Sequence, residues 1–353
     1  MGKVTTKYLA EYVGVSKMTI SLYLRDPGTT RVSKEVKNKI DTAMKELNYV
    51  PSLKTQFSQK GKTNIIAVIM PFNNPFFKYE QVNEILSGLQ GALFQNNYSL
   101  IFLKVGIENG MPIIDRQTLL QCKSFDGVVF FGTRYTRQDK MGDTFQTLKN
   151  YNIPFVVVNM PEIPLPVNQV IFRNDDTCTP IEYLFSQGHS NIVFMGGVPE
   201  SYQTAQALEE YTRDHKKMKH KVDKRYILNG GFESAGAYVA LGQFIKTGMP
   251  FTAIYCISMQ MTAGCYKALK EEGFDIPGDV SIIGFGDPYF SELLDPPLSV
   301  VHPPLEEVGT RAASILIENI AHPEGMNHEK VYLQNSLVIR RSTSICGKVT
   351  GGN

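Results

Sequence analysis

The stretch Ala10-Glu11-Tyr12-Val13-Gly14-Val15-Ser16-Lys17-Met18-Thr19-Ile20-Ser21 is ordered like two short helices meeting at a tight turn. A small residue at Ala10 lets the helices approach closely. Gly14 makes the turn, Val15 plugs it, and Ser16 offers a hydroxyl to cap the second helix. Working outward, Thr5 or Thr6 can cap a helix over Lys7–Val13, with Leu9, Ala10 and Val13 on one apolar stripe. Ser16 caps Lys17–Leu24, with Ile20 and Leu24 inward, until Asp26-Pro27-Gly28 breaks the pattern. Ser33 caps Lys34–Leu47, where Val36, Ile40, Met44 and Leu47 recur three or four apart. The outward residues Lys17, Met18, Ser21 and Leu22 are then placed to face a DNA major groove. The Thr19 and Ser21 hydroxyls, beside a helix N-terminus, suit phosphate. A plain helical hairpin shares this spacing; the caps and the local basicity together favour a helix-turn-helix.

Charge supports that choice. Residues 1–62 hold twelve Lys/Arg and five Asp/Glu, a net of +7, while the other residues are net −5 within a total of +2. A basic head on a mildly acidic body suits a polyanionic partner. Residues 52–62 are polar and weakly patterned, as a linker is. Beyond them, short β-rich runs alternate with helical ones: Ile65–Met70, Glu80–Gln95, Ser99–Lys104, Gly127–Phe131, Ile192–Met195, Tyr202–Asp214, Ala253–Ile257 and Val280–Phe285 among them. Such alternation implies doubly wound parallel sheets with helices on both faces, and the length suits two lobes with a cleft between them.

Several classes are disfavoured. No apolar run reaches membrane-spanning length and the first residues lack a signal-peptide core, so a cytoplasmic protein without a membrane role is expected. The five cysteines at 122, 178, 256, 265 and 346 show no CxxC spacing, which points to reduced thiols and no metal. There is no nucleophile elbow, HExxH, P-loop or dinucleotide fingerprint, so neither catalytic residues nor a cofactor are expected. An enzyme or a free-standing two-lobed binding protein would leave the basic head without a purpose.

Further stretches carry a resemblance. The pattern Val4-Thr5, Leu9-Ala10, Gly14-Val15-Ser16, Thr19-Ile20-Ser21, then Ala43-Met44, Glu46-Leu47-Asn48-Tyr49 and Pro51, resembles the lactose-repressor (LacI) family. In family order follow Asn74-Pro75-Phe76-Phe77, Phe125-Asp126-Gly127-Val128-Val129, Gly188-His189, Ile276-Pro277 with Asp279-Val280-Ser281-Ile282-Ile283-Gly284-Phe285, Asp295-Pro296-Pro297-Leu298-Ser299 and Leu305-Glu306-Glu307-Val308-Gly309. The likeness implies an α/β fold: a helix-turn-helix head over 1–51, a hinge over 52–62 and a periplasmic-binding-protein-like core over 63–346. Lobe 1 is then about 63–163 with 296–325, and lobe 2 about 164–295 with 326–346; a disordered tail over 347–353 is expected. It further implies a homodimer that binds double-stranded operator DNA and represses sugar uptake or catabolism genes. Control would come from a small molecule, a sugar or sugar derivative, held between the lobes.

The resemblance also assigns residues. Base-edge contacts fall to Lys17, Met18 and Leu22; Lys17 can donate to guanine, the other two only touch apolar groups such as a thymine methyl. Thr5, Ser16, Thr19, Ser21, Arg25, Ser33, Tyr49 and Ser52 match positions that contact the DNA backbone. The leucine that family hinge helices wedge into the minor groove is replaced by Ser58, preceded by Phe57. Either Phe57 substitutes in a shifted register or the linker does not intercalate, the latter being favoured. Effector contacts fall to Phe72, Asn74, Phe77, Thr133, Ala207, Phe232, Met259 and Asp287. Three sugar anchors are absent: Ala207 replaces an arginine, Ser258-Met259 an Asn-Asp pair, and Gly286 an aspartate. Each lost directional bond is worth about 1–3 kcal/mol.

Overall fold

A computed structural model of the chain describes residues 4–49, 62–70, 77, 79–103, 105–108, 111–113, 115–132, 141–174, 179–322 and 328–347. The head holds three helices: α1 (Thr6–Val13), α2 (Lys17–Arg25) and α3 (Lys34–Glu46). Each begins on a hydroxyl cap, with Thr5, Ser16 and Ser33 accepting from Tyr8, Thr19 and Val36 backbone N–H groups. Gly14 closes α1 at φ 75°, a left-handed conformation that favours glycine. Leu9, Ala10, Ile20, Tyr23, Ile40 and Tyr49 form the head's own buried core, while Leu24, Val36, Met44 and Leu47 pack half-buried around it.

The body is a mixed sheet in two parts. The first lobe contains β1 (Ile65–Ile69), α4 (Glu80–Gln95), β2 (Ser99–Leu103), the hairpin β3 (Gly106–Glu108) and β4 (Met111–Ile113), α5 (Arg116–Cys122), β5 (Gly127–Phe131), α6 (Gly142–Asn150), β6 (Phe155–Val158) and β7 (Gln169–Asn174). The second contains α7 (Pro180–Ser186), β8 (Ile192–Gly196), α8 (Tyr202–Lys217), β9 (Ile227–Asn229), α9 (Ser234–Ile245), β10 (Ala253–Cys256), α10 (Met259–Glu271), β11 (Ser281–Phe285) and β12 (Ser299–His302). The chain then returns to the first lobe as α11 (Leu305–Ala321) and ends in β13 (Lys330–Val338). Strand order is β2-β1-β5-β6-β7-β13-β12-β11-β10-β8-β9. All these pairs are parallel except β12 with β13. The core strands β1, β5, β6, β8, β10 and β11 are almost wholly buried, as strands covered on both faces must be.

Two of the lobe boundaries differ from those the resemblance implies. Residues 330–335 of β13 pair with β7 in the first lobe, and 336–338 pair with β12 in the second. The chain therefore crosses after Asn174 and between His302 and Leu305, rather than near 164 and 296, and crosses last inside β13, within the 330–340 stretch where the resemblance puts the return. The turn with prolines at 161, 164 and 166 re-enters the same sheet. Buried Gln169 holds it, donating to the Met160 and Pro161 carbonyls and accepting from the Ile163 N–H. Asp295-Pro296-Pro297 is likewise a turn inside the second lobe. Gln169–Asn174, Gly142–Asn150 and Ser299–His302 did not stand out in the strand-helix alternation.

The second crossing is locked by helix packing. A Cβ on Gly88 of α4 would meet the Glu306 carbonyl oxygen at 1.9 Å, and one on Gly309 of α11 would meet that of Ile85 at 2.0 Å. Only glycine lets the two backbones come this close. Their contact lays α11 across the first lobe's sheet, where Val308, Ala312 and Leu316 are buried. Among the described residues, no helix is long and apolar enough to cross a membrane.

Candidate DNA-reading head and ligand cleft

In the head, Lys17 and Met18 begin α2 and point into solvent; Met18 is 80% exposed. Leu22, one turn later, is half-buried against the head's core, so part of its side chain is already committed to packing. Ser21 is half-buried on the same helix. Ser16 and Thr19 bond each other through their hydroxyls at 2.9 Å while Ser16 caps the helix. A capping hydroxyl accepts from the helix and keeps its own proton to donate, so Thr5, Ser16 and Ser33 can cap and still donate to a phosphate. Tyr49 differs. Its ring is buried and its hydroxyl lies 2.9 Å from that of Thr6, tying the end of α3 to the start of α1. Arg25 ends α2; its side chain, and all of Ser52, Phe57 and Ser58, lie outside the described residues.

Between the lobes lie two adjoining cavities of about 70 and 40 Å³. The first is lined by Phe172, Arg173 and Asn174 of β7, Asn335 of β13, Gln81 of α4, Tyr202, Gln203, Gln206, Ala207 and Glu210 of α8, with Tyr255, Ile257 and Phe285. The second adds Tyr79, Glu80, Glu84, Phe232, Ser258, Met259, Gln260, Gly286 and Leu305. Both lobes and two of the three crossing segments thus converge on one place. Larger depressions exist, including one of about 430 Å³ at the far end of the second lobe around His189, Phe274 and Cys346. It is lined by that lobe alone.

Of the effector contacts assigned from the sequence, Ala207, Phe232 and Met259 line the cleft. Phe232 is buried with φ 61°, a strained backbone that seats its ring over Gly197. Phe77 lies outside both cavities, 56% exposed, its ring edge-on to Phe102 at 5.6 Å. Asp287 also lines neither. Arg340 binds it through two hydrogen bonds of 2.8 and 2.9 Å, Ser291 donates to it, and His302 Nδ1 lies 3.3 Å away. Burial pushes the Asp287 carboxyl up, but Arg340, Ser291 and His302 outweigh that and hold it below the ordinary range. Its carboxylate is engaged in the lobe's own architecture. Phe72, Asn74 and Thr133 lie outside the described residues.

What the sequence reading missed is the amide-rich floor. Asn174 and Gln206 donate to Glu210, and Asn335 Nδ2 donates to Asn174 Oδ1 at 2.8 Å. Burial raises the Glu210 carboxyl despite these donors. Across the cleft, burial and the charge of Asp287 lift Glu80 to about 7; burial, Glu80, Asp287 and Glu306 lift Glu84 to about 7. The only available signal was position: Gln203, Gln206 and Glu210 share one face of α8 at spacings of three and four.

A helix-turn-helix head joined to a two-lobed core with its cleft at the crossing strands defines a ligand-responsive DNA-binding transcriptional regulator. Comparison with known proteins agrees. Residues 5–52 match the family described as bacterial regulatory proteins, lacI family, and residues 181–343 match the periplasmic binding protein-like domain. The chain belongs to the LacI family. It is 27% identical to the transcriptional repressor PurR of Vibrio atlanticus, covering 96% of this chain and 98% of that one. It is 25% identical to the ribose operon repressor of Escherichia coli, covering 96% and 99%. The fold is similar to the lac repressor dimer bound to operator and an anti-inducer, with TM-score 0.77, 21% identity and coverage of 97% and 100%. A transcriptional regulator CelR–cellobiose complex superposes with TM-score 0.67, 22% identity and coverage of 96% and 99%.

Proposed function

We propose that this protein is a homodimeric repressor whose two heads read an operator in successive major grooves, and whose cleft ligand sets their affinity for it. It acts by binding, in the cytoplasm, with no catalytic step. The observation that carries this reading is the placement of a cleft on the strands that join the lobes. A ligand there touches both lobes and the crossing strands at once, so its binding free energy differs between open and closed forms, which is what coupling requires. The two cavities fall well below the roughly 300–1,000 Å³ of ordinary ligand pockets, and a wider depression of about 650 Å³ between the lobes, sharing Glu80, Glu84, Met259 and Gln260, lies beside them.

Base contacts are assigned to Lys17 and Met18 with a smaller share for Leu22, and backbone contacts to Thr5, Ser16, Thr19, Ser21, Arg25, Ser33 and Ser52. The ribose and cellobiose proteins among its relatives support a carbohydrate-linked set of genes. The decisive experiment compares the full chain with a truncation starting at Lys62. The full chain should shift operator DNA in a steeply salt-dependent way, while the truncation keeps ligand binding and loses DNA. DNA binding by the truncation, or operator affinity blind to every ligand the cleft accepts, would sink the proposal.

A further inference from the structure

This inference rests on the cleft being the ligand site. Its floor is a chain of side chains from three elements: Asn335 donates to Asn174, and Asn174 and Gln206 donate to Glu210. Two acceptors on this floor are available. The Asn335 Oδ1 atom is fully buried and accepts no hydrogen bond among the described residues. The Glu210 carboxylate accepts hydrogen bonds from two neutral amides, while the charges of Arg213 and Asp214 nearby act on it in opposite senses. A buried acceptor without a donor costs about 1–3 kcal/mol, so the site is completed by a ligand that donates.

Charge narrows the class. From α4, Glu80 and Glu84 face the same cleft, half-buried. The groups opposite add little that is positive. Asp287 and Glu306 are further carboxylates. Arg340 is engaged by Asp287 and Glu292, and His302 lies against Asp287. Arg173, which lines the first cavity, stacks on Tyr332 at 4.6 Å. The aromatic residues Phe172, Tyr202, Tyr255 and Phe285 line the space, and an aromatic ring can attract a cation to its face. A neutral polyol can donate to the carboxylates but brings no positive charge to offset theirs.

We propose that the cleft takes a compact cation, a ligand whose protonated amine or amidine donates to Glu210 and to Asn335 Oδ1 while Glu80 and Glu84 set a negative field at its side. An amino sugar belongs to this class, as does a small diamine. Because Glu80 and Glu84 hold protons near neutral pH, an arriving cation should also expel some of them.

The test is calorimetry on the full-length protein near neutral pH, in two buffers of different ionisation enthalpy. Glucosamine is compared with glucose, and 1,4-diaminobutane with 1,4-butanediol. At least one amine should bind tenfold or more tighter than its hydroxyl counterpart, with net proton release. Glu210→Gln keeps the size of the side chain but removes its charge and one of its two acceptor oxygens, so the folded variant should lose the amine preference. If neither amine binds, or each hydroxyl compound binds as well as its amine, the proposal is overturned on the wild-type protein alone. A preference that survives in folded Glu210→Gln also overturns it. Amine binding that leaves operator affinity unmoved would retain the cation site and refute the regulatory reading. A neutral sugar that shifts operator affinity while the amines do not bind would do the reverse.

Discussion

Asp287 and Arg340 are clamped face to face: Arg340 Nη1 donates to Oδ1 at 2.8 Å and Nη2 to Oδ2 at 2.9 Å, with both side chains less than 15% exposed. Arg340 also donates to the Leu298 carbonyl, so one guanidinium joins the segment after β13 to both ends of the connection between β11 and β12. Removing one partner from such a pair strands the other charge, which is worth about 3–5 kcal/mol. Asp287→Ala should lower the urea midpoint by that measure while the folded fraction keeps its ligand affinity. Unchanged stability with weakened ligand binding would return Asp287 to the cleft.

The helix contact at the second crossing gives a paired experiment. Gly309→Ala places a methyl 2.0 Å from the Ile85 carbonyl oxygen and 2.5 Å from the Leu89 nitrogen, both backbone atoms that cannot yield cheaply. It should destabilise by roughly 3 kcal/mol or prevent folding. Gly91→Ala, also in α4, meets nothing within 4 Å and should stabilise by about 0.5–1 kcal/mol through lower chain entropy. Equal denaturation midpoints for the two variants would refute the claim that glycine sets this approach.

Stability should fall as pH rises from about 4.5 to about 7. Glu80 and Glu84 titrate near 7 in the folded protein against an ordinary value of 4.5, so the folded state binds more protons than the unfolded one between those values. Their unfavourable contribution is absent below the lower value and complete above the upper. Glu84→Gln should flatten that decline and be more stable than the parent at about pH 8. Denaturant titrations at about pH 5 and pH 8 decide it, and parallel pH curves for parent and variant would count against it.

In the head, Lys17→Ala should weaken operator binding by about 1–3 kcal/mol and relax preference at one base position, whereas Ser33→Ala should weaken all sequences alike. Fluorescence anisotropy on an operator and its single-base variants separates these outcomes. Loss of affinity without loss of preference in Lys17→Ala would reassign it to the phosphate backbone.

Legibility followed the range of the interactions concerned. The caps at Thr5, Ser16 and Ser33 and the strands of the lobe cores rest on contacts a few residues apart or on burial of a whole segment, and both leave a mark in the sequence. The lobe boundary does not. It depends on whether Gln169–Asn174 pairs with β6 or joins the second lobe, a choice made by partners far along the chain. The cleft floor was hidden for the same reason: Asn174, Glu210 and Asn335 are ordinary surface residue types until β7, α8 and β13 bring them together. Asp287 was misplaced because its neighbour in sequence, Gly286, does line the cleft, while its partner Arg340 lies 53 residues away.

The strand β13 has one more consequence. Its first six residues are bonded to one lobe and its last three to the other, so the lobes share a single rod of backbone. Sliding one lobe along the other would break both ladders. Twisting about the rod breaks neither, because strands tolerate a range of twist. Torsion is thus the relative motion of the lobes that this strand opposes least. A molecule lodged beside Asn335 sits almost on the axle, where a small grip governs a large swing at the rim.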